Sequence, residues 1–241
     1  MPDQIFENPR LAAVYDAFDG NRDDLDHYLS VAKELNAKSI LDVGCGTGSF
    51  ACLLSNNGFD VCGVDPASAS LDIARRKPFA NRVRWLLGDA TDVPLFAFDL
   101  AFMTGNVAQV FLSDHEWDDT LWAISRSLRP RGHLVFESRD PERRAWDAWN
   151  RQNTYSCIDI HGIGCVESWC EVTKVSKQLV SFRWTYIFSS DGEVITSDST
   201  LRFRDRQAIE ESLERSGFSV REVRGAPDRP GKEFVFIAFK K

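Results

Sequence analysis

Eight residues, Leu41-Asp42-Val43-Gly44-Cys45-Gly46-Thr47-Gly48, constrain this chain more than any other stretch. Ser39 and Ile40 lead into them, and Ser49-Phe50-Ala51-Cys52-Leu53-Leu54 leads out with the pattern of a helix. Strand, glycine turn and helix in that order make a nucleotide-binding turn. The glycines admit positive φ and let a ligand lie against the main chain. The dinucleotide fingerprint wants glycine at its first, third and sixth positions, and here the sixth is Ser49. Asp42 stands two residues before the first glycine, where a carboxylate suits an ammonium or sulfonium better than a pyrophosphate. A nicotinamide oxidoreductase is therefore disfavoured.

These residues resemble the first motif of the class I S-adenosylmethionine-dependent methyltransferases. The resemblance implies an α/β fold: a Rossmann-like, seven-stranded, mostly parallel sheet with helices on both faces. It implies S-adenosyl-L-methionine as cofactor and S-adenosyl-L-homocysteine as product. Gly63-Val64-Asp65 closes a second strand over 60–65, followed by Pro66. In the family such an acid bridges the ribose hydroxyls, since a carboxylate accepts from two neighbours at once. A third strand over 83–87 ends in Gly88-Asp89-Ala90, the place where the family holds the adenine amino group. A fourth over 98–103 opens into Thr104-Gly105-Asn106-Val107, at the mouth of the transfer pocket. By resemblance, Asp42, Gly44, Cys45, Gly46, Thr47, Gly48, Asp65, Pro66, Asp89, Ala90, Thr104, Gly105 and Asn106 would contact the cofactor. In relatives a tyrosine from the N-terminal segment covers the cofactor and a basic residue meets its carboxylate, which would be Tyr15 and Arg22 here. The alternative for this pair is a core aromatic and a surface arginine beside Asp23 and Asp24.

A chain of 241 residues, 43% of them hydrophobic, is long enough for one large α/β domain with an embellishment. We expect one domain over 1–241, with residues 1–36 forming a helical segment over the cofactor. The formal charge is −7 with Lys and Arg scattered, which disfavours a nucleic-acid substrate. No apolar run approaches a membrane span and Met1-Pro2-Asp3-Gln4 begins no signal peptide, so a cytoplasmic monomer or homodimer is expected. The six cysteines lie at 45, 52, 62, 157, 165 and 170. A metal site from Cys157, His161, Cys165 and Cys170 fits no standard zinc spacing, and reduced thiols without a metal are the expectation.

Helices are expected over 22–36 and over 113–128, the latter opened by a Ser113/Glu116 capping box with Trp117 on its core side. Pro130-Arg131-Gly132 breaks that helix, and 133–137 forms a fifth strand. Beyond Arg139 the alternating pattern stops. A short helix over 141–150 carries Trp146 and Trp149, and three antiparallel strands follow over 164–175, 179–188 and 193–203, with Asp191-Gly192 as a hairpin signal. Residues 141–204 thus read as an inserted β cap after strand five. A helix over 206–216 and strands over 218–223 and 234–239 complete the sheet, the last one antiparallel. The cap narrows the resemblance to small-molecule methyltransferases, including those acting on amino sugars and other bacterial secondary metabolites.

Enclosure is the physical reason for a cap, because in-line S_N2 transfer from a sulfonium needs alignment and shelter from water. Trp146, Trp149, Tyr155, Trp169 and Trp184 are expected to line the acceptor pocket, though each taken alone also reads as packing. A base is needed only where the nucleophile must lose a proton, and His161 and Glu137 are the candidates, with His115 behind them. Glu137 ends the fifth strand facing the crevice and is also suited to bind an acceptor ammonium. Met103-Thr104-Gly105-Asn106 lacks the Pro-Pro-aromatic run of amino-directed DNA methylation, and the paired-glutamate loop of arginine methylation is absent. The alternative is a methyltransferase-like structural or regulatory subunit without catalysis, against which the intact Asp42, Gly44, Gly46, Gly48, Asp65 and Asp89 argue.

Overall fold

A computed structural model describes residues 2–241. Three helices come first: α1 (Gln4–Glu7), α2 (Pro9–Asp19) and α3 (Asp24–Glu34). Asn8 caps α2, its side chain accepting from the amides of Arg10 and Leu11, and Pro9 opens the helix where no amide partner is needed. Alternation then sets in with β1 (Ser39–Val43), α4 (Ser49–Asn56), β2 (Asp60–Asp65), α5 (Ser68–Ala74), β3 (Val83–Leu87), β4 (Phe98–Met103), α6 (Asp114–Ser127) and β5 (Leu128–Arg139). The cap follows as α7 (Arg151–Thr154), β6 (Ser156–Ile160), β7 (Gly164–Ser176), β8 (Leu179–Phe188) and β9 (Val194–Arg202). The chain ends with α8 (Arg206–Arg215), β10 (Phe218–Gly225) and β11 (Glu233–Lys240).

Seven strands form the central sheet in the order β10-β11-β5-β4-β1-β2-β3. Only β11 runs against its neighbours, antiparallel to both β5 and β10. The order reverses between β1 and β4, and in open sheets of this kind ligands bind at the carboxyl ends beside such a reversal. Strand pleating decides which side chains reach that place. Leu41, Val43, Cys62, Val64, Ala101, Met103 and Phe136 pack in one core with residues of α6 and α8. Ile40, Val61, Leu100, Phe102 and Val135 pack in the other, with α3 and α4. Asp42 lies beside Gly63 and Phe102 in register, so by alternation Asp42, Asp65 and Glu137 all emerge on the α3/α4 side at the strand ends. One parity rule thus gathers three carboxylates.

The capping box forms at the start of α6, and Trp117 is buried with its indole N–H donating to Ser212 of α8 at 2.8 Å. Four features depart from the sequence expectation. The cap sheet has four strands, in the order β6-β7-β8-β9, because Ser156-Cys157-Ile158-Asp159-Ile160 pairs with the start of β7. In place of a helix over 141–150 there are two 3-10 turns, Pro141–Arg143 and Ala145–Ala148, separated by Arg144 at φ 45°. Strand β5 starts earlier than expected: Leu128 already sits opposite Phe98, and the register resumes with His133 opposite Leu100 after an irregular stretch of the strand over 129–132.

The fourth departure concerns the thiols. Cys157 and Cys165 are joined as a disulfide across β6 and β7, whereas Cys45, Cys52, Cys62 and Cys170 are free and buried. Register explains the pair: Cys157 opposes Glu167 and Asp159 opposes Cys165, which puts both sulfurs on one sheet face a pleat apart. Among the described residues, no helix is long and apolar enough to cross a membrane, and no cluster of His, Cys, Asp and Glu could hold a metal ion.

Two apolar contacts tie the cap sheet down. Ile5, Leu11 and Val14 of α1 and α2 pack on Val166, Tyr186 and Phe188 at one end of its inner face. Trp146, Val180 and Phe203, with Trp149, Val172 and Leu201 against them, form a second cluster at the other end.

Candidate active site

The glycine turn is held from below by the second strand. The amides of Gly44 and Cys45 donate to the Val64 carbonyl at 2.9 and 3.2 Å. Asp65 then accepts from the Gly46 amide through Oδ2 and from the Ala67 amide through Oδ1, both at 2.8 Å. The acid expected at the ribose therefore also fixes the turn, and each oxygen keeps a lone pair for a further donor. Gly44 has to be glycine, since a Cβ there would stand 2.6 Å from Val107 of the loop after β4. Gly46 sits at φ +52° with nothing within 4 Å of its Cβ position, so the turn presents bare backbone to open space.

Asp42 lies behind this turn, 1% exposed, and neither of its carboxylate oxygens has a hydrogen-bond partner. Burial, together with the nearby charge of Asp65, pushes its carboxyl up to about 7. A buried carboxylate without partners costs stability in the empty protein. What would satisfy it is a cation with hydrogens to donate.

Along the edge, Asp89 caps a short 3-10 turn, Ala90–Asp92, accepting from the amide and hydroxyl of Thr91 through one oxygen. Ala90 is buried beneath it. Pro66 is exposed, Thr104 half-buried and Gly105 exposed, while Asn106 is buried at φ 62°. The Asn106 amide donates to Glu137 Oε1 at 2.9 Å, and Tyr28 of α3 presents its hydroxyl to the same carboxyl. Glu137 Oε2 and Asn106 Oδ1 are left without partners. Burial pushes the Glu137 carboxyl up to about 7. Beyond it, Asn106 Nδ2 faces Glu233 Oε1 at 3.4 Å, and that carboxylate takes Arg229 at 2.7 Å and Arg139 at 3.6 Å.

The N-terminal helices reach the site through polar contacts. Thr47, in the glycine turn, donates its hydroxyl to Asp16 of α2 at 2.6 Å. Lys77 Nζ joins Asp16 and Ser49, each at 2.6 Å. Glu7 accepts from the Ser68 amide and hydroxyl after β2. Tyr15 is half-buried and packed against Phe6 at 5.5 Å between ring centroids. Arg22 is not free for an incoming carboxylate: its fork closes on Asp24 through two bonds of 2.9 Å, and Nη1 holds Asp19 at 2.5 Å. The acids beside it in sequence claim it first.

The expected pocket aromatics divide by face. Trp184 lies opposite Cys170 and Ser197 on the inner face, close to Tyr186, which meets Phe18 of α2 edge-on at 5.5 Å. Trp149 stands at the junction of cap and core, edge-on to Phe182 at 4.8 Å with the Arg139 guanidinium over its ring. Trp146 is buried against Phe203 at 4.6 Å and belongs to the packing. Trp169 and Tyr155 are placed otherwise than expected, on the outer surface. Trp169 alternates with the buried Ser168 and Cys170, stacks under Arg151 at 4.3 Å and donates to Glu171. Tyr155 is 47% exposed and donates to Glu167.

His161 occupies the exposed turn between β6 and β7, and no hydrogen bond joins it to Glu137 or to the glycine turn. His115 is exposed on α6 beside Asp119. Sequence reasoning missed Tyr28, Asp16, Lys77 and Glu233. Tyr28 falls three residues after Leu25 on the apolar stripe of α3, a spacing that could have found it, whereas the others meet the site only through tertiary contacts.

Glycine turn, switch point and strand-end acids together define a Rossmann-like fold of the class I methyltransferase type. Residues 40–132 match the methyltransferase domain family. A curated relative, the cypemycin N-terminal methyltransferase of a Streptomyces species, is 31% identical over 132 residues, 53% of each chain. The malonyl-[acyl-carrier protein] O-methyltransferase of Serratia marcescens is 27% identical over 213 residues, 86% of this chain and 75% of that protein. The chain thus spans about half the length of the first relative and three quarters of the second. Among solved structures, Streptomyces venezuelae DesVI superposes with a TM-score of 0.77 at 20% identity, over 95% of this chain and 98% of that one. CalS10, an amino pentose methyltransferase from Micromonospora echinaspora, gives 0.70 at 23%, over 95% of each chain. These structural likenesses extend the shared fold across the cap.

Proposed function

We propose that the protein is an enzyme that transfers a methyl group from S-adenosylmethionine to a small-molecule acceptor. The observation that carries this reading is Asp42: a fully buried carboxylate with two unpartnered oxygens, directly behind a turn whose Gly46 leaves backbone open. An ammonium-bearing, cationic donor supplies what that carboxylate lacks. Bound there, the cofactor would supply a methyl group whose bond to sulfur breaks as the acceptor's new bond forms.

The chain's own residues do the remaining work. Asp65 holds the turn in shape and offers its spare lone pairs to the ribose hydroxyls, and Asp89 with Ala90 borders the adenine place. Asp16 and Lys77 hold α2 over the turn, which restricts water. Thr104, Gly105 and Asn106 shape the mouth through which the acceptor meets the donor. Since the leaving group is already good, alignment is the main contribution, worth up to roughly 7–11 kcal/mol in favourable cases. Two curated relatives are named as a cypemycin N-terminal methyltransferase and a malonyl-[acyl-carrier protein] O-methyltransferase, and the chain's −7 charge speaks against nucleic acid.

Calorimetry with S-adenosylhomocysteine tests the reading. Binding in the micromolar range, weakened about tenfold in Asp42→Ala, supports it, and failure to bind sinks it.

A further inference from the structure

Asp42 is not the only unsatisfied acceptor at the strand ends. Glu137 Oε2 and Asn106 Oδ1 are buried without partners as well. They do not belong to the Asp42 place. Glu137 lies on β5, two strands from β1 and one pleat further along, which puts it roughly 12 Å away at ordinary strand spacing. One ammonium cannot serve both. A second group rich in donors is called for, on the side of the crevice that adjoins the cap.

The surrounding groups sharpen its chemistry. The cations nearest Glu137 are engaged elsewhere: Arg229 on Glu233, and Arg139 on Glu233 and on Gln109 Oε1 at 3.0 Å. Glu233 also orients Asn106, drawing Nδ2 toward itself and leaving Oδ1 free. Tyr28 faces Glu137 from the α3 side. Glu137 is therefore held at Oε1 by one neutral donor, the Asn106 amide, and keeps Oε2 bare.

We infer that this pair of oxygens, Glu137 Oε2 and Asn106 Oδ1, receives the acceptor as an ammonium, and that the protein methylates amines. The inference rests on the methyltransferase reading above. The ammonium gives one proton to Glu137 Oε2, and the lone pair so freed forms the new N–C bond. The donor's C–S bond breaks with its electrons remaining on sulfur, and the product leaves as a methylated ammonium while Glu137 later returns its proton to water. An alcohol fits poorly. A carboxyl that burial has moved to about 7 lies within a few units of an ammonium, about 8 to 10.4. It lies far below a hydroxyl, near the ~15.7 of water.

The experiment compares cyclohexylamine with cyclohexanol, two probes of one shape, binding at pH 8 to the protein saturated with S-adenosylhomocysteine. The amine is expected to bind at least tenfold more tightly than the alcohol. Glu137→Gln should weaken the amine at least tenfold while holding the affinity for S-adenosylhomocysteine within twofold, and Asn106→Ala should weaken the amine severalfold. Amine affinity should rise from pH 6 to 8 as Glu137 ionises among Tyr28, Asp42, Glu233, Arg139 and Arg229. No binding of the amine, equal binding of both probes, or an amine affinity indifferent to Glu137→Gln overturns the assignment. Failure of S-adenosylhomocysteine itself to bind would instead defeat the underlying methyltransferase reading.

Discussion

The outer face of the cap and the carboxyl ends of the central sheet treat their polar groups in opposite ways. On the outer face of the cap, charges and donors are paired off: Arg183 with Asp198, Trp169 with Glu171, Tyr155 with Glu167. At the carboxyl ends of the central sheet, Asp42 has no partner and Glu137 keeps a bare oxygen. Exposed pairs of the first kind are worth little and cost little. Buried acceptors of the second kind are expensive to leave unmade, and native proteins rarely tolerate them without a use. The contrast locates the chemistry at the central sheet and leaves the cap's outer face as scaffold.

The largest effect expected from breaking this contrast is at Asp65. Its removal frees the Gly46 and Ala67 amides and, on the proposed reading, the ribose hydroxyls as well. Asp65→Ala should weaken S-adenosylhomocysteine on the order of 100-fold, about 3 kcal/mol, as measured by calorimetry. Unchanged affinity would remove the ribose assignment.

Asp42 sharpens the comparison through pH. Its carboxyl titrates at about 7 in the folded chain against about 3.9 when unfolded. The folded state therefore binds the extra proton between those values. Stability from this group is fully present below the unfolded value and is lost as pH rises through the folded one. Asp42→Asn should stabilise the ligand-free protein at pH 8 by up to a few kcal/mol, read as a higher melting temperature, with little change at pH 4. The same variant should bind S-adenosylhomocysteine about tenfold more weakly. A variant that melts lower at pH 8 than the native chain would show that Asp42 is structurally satisfied after all.

The central half was legible because its signals are local and sit in sequence order. Asp42 with three glycines, Asp65 at the end of an apolar run and Asp89 after another each declare a strand end within a few residues. The cap was legible only as alternation. Ser156-Cys157-Ile158-Asp159-Ile160 alternates too weakly to stand out, and nothing local says that it pairs with Gly164 to Ser168. Nor does alternation say which face is inner: a slip of one residue exchanges Trp169 for Ser168. The polar partners of the site, Asp16 to Thr47 and Glu233 to Asn106, lie 31 and 127 residues apart in sequence and depend on the finished fold. Arg22 shows the local counterpart, since Asp24, two residues away, takes its fork.

Two tryptophans of the cap give the smallest effects and the finest test. Trp149 stands at the junction with the central sheet, against Phe182 and under Arg139, whereas Trp169 lies on the opposite face under Arg151. Trp149→Ala should weaken cyclohexylamine binding to the S-adenosylhomocysteine complex about fivefold and slow its methylation, because it removes the wall beside Arg139. Trp169→Ala should leave both within twofold, since the contacts it loses face solvent and change stability by about 0.5 kcal/mol. Equal losses in the two variants would mean that the cap acts as one body whose outer packing sets the pocket, and the division between faces would then carry no functional meaning.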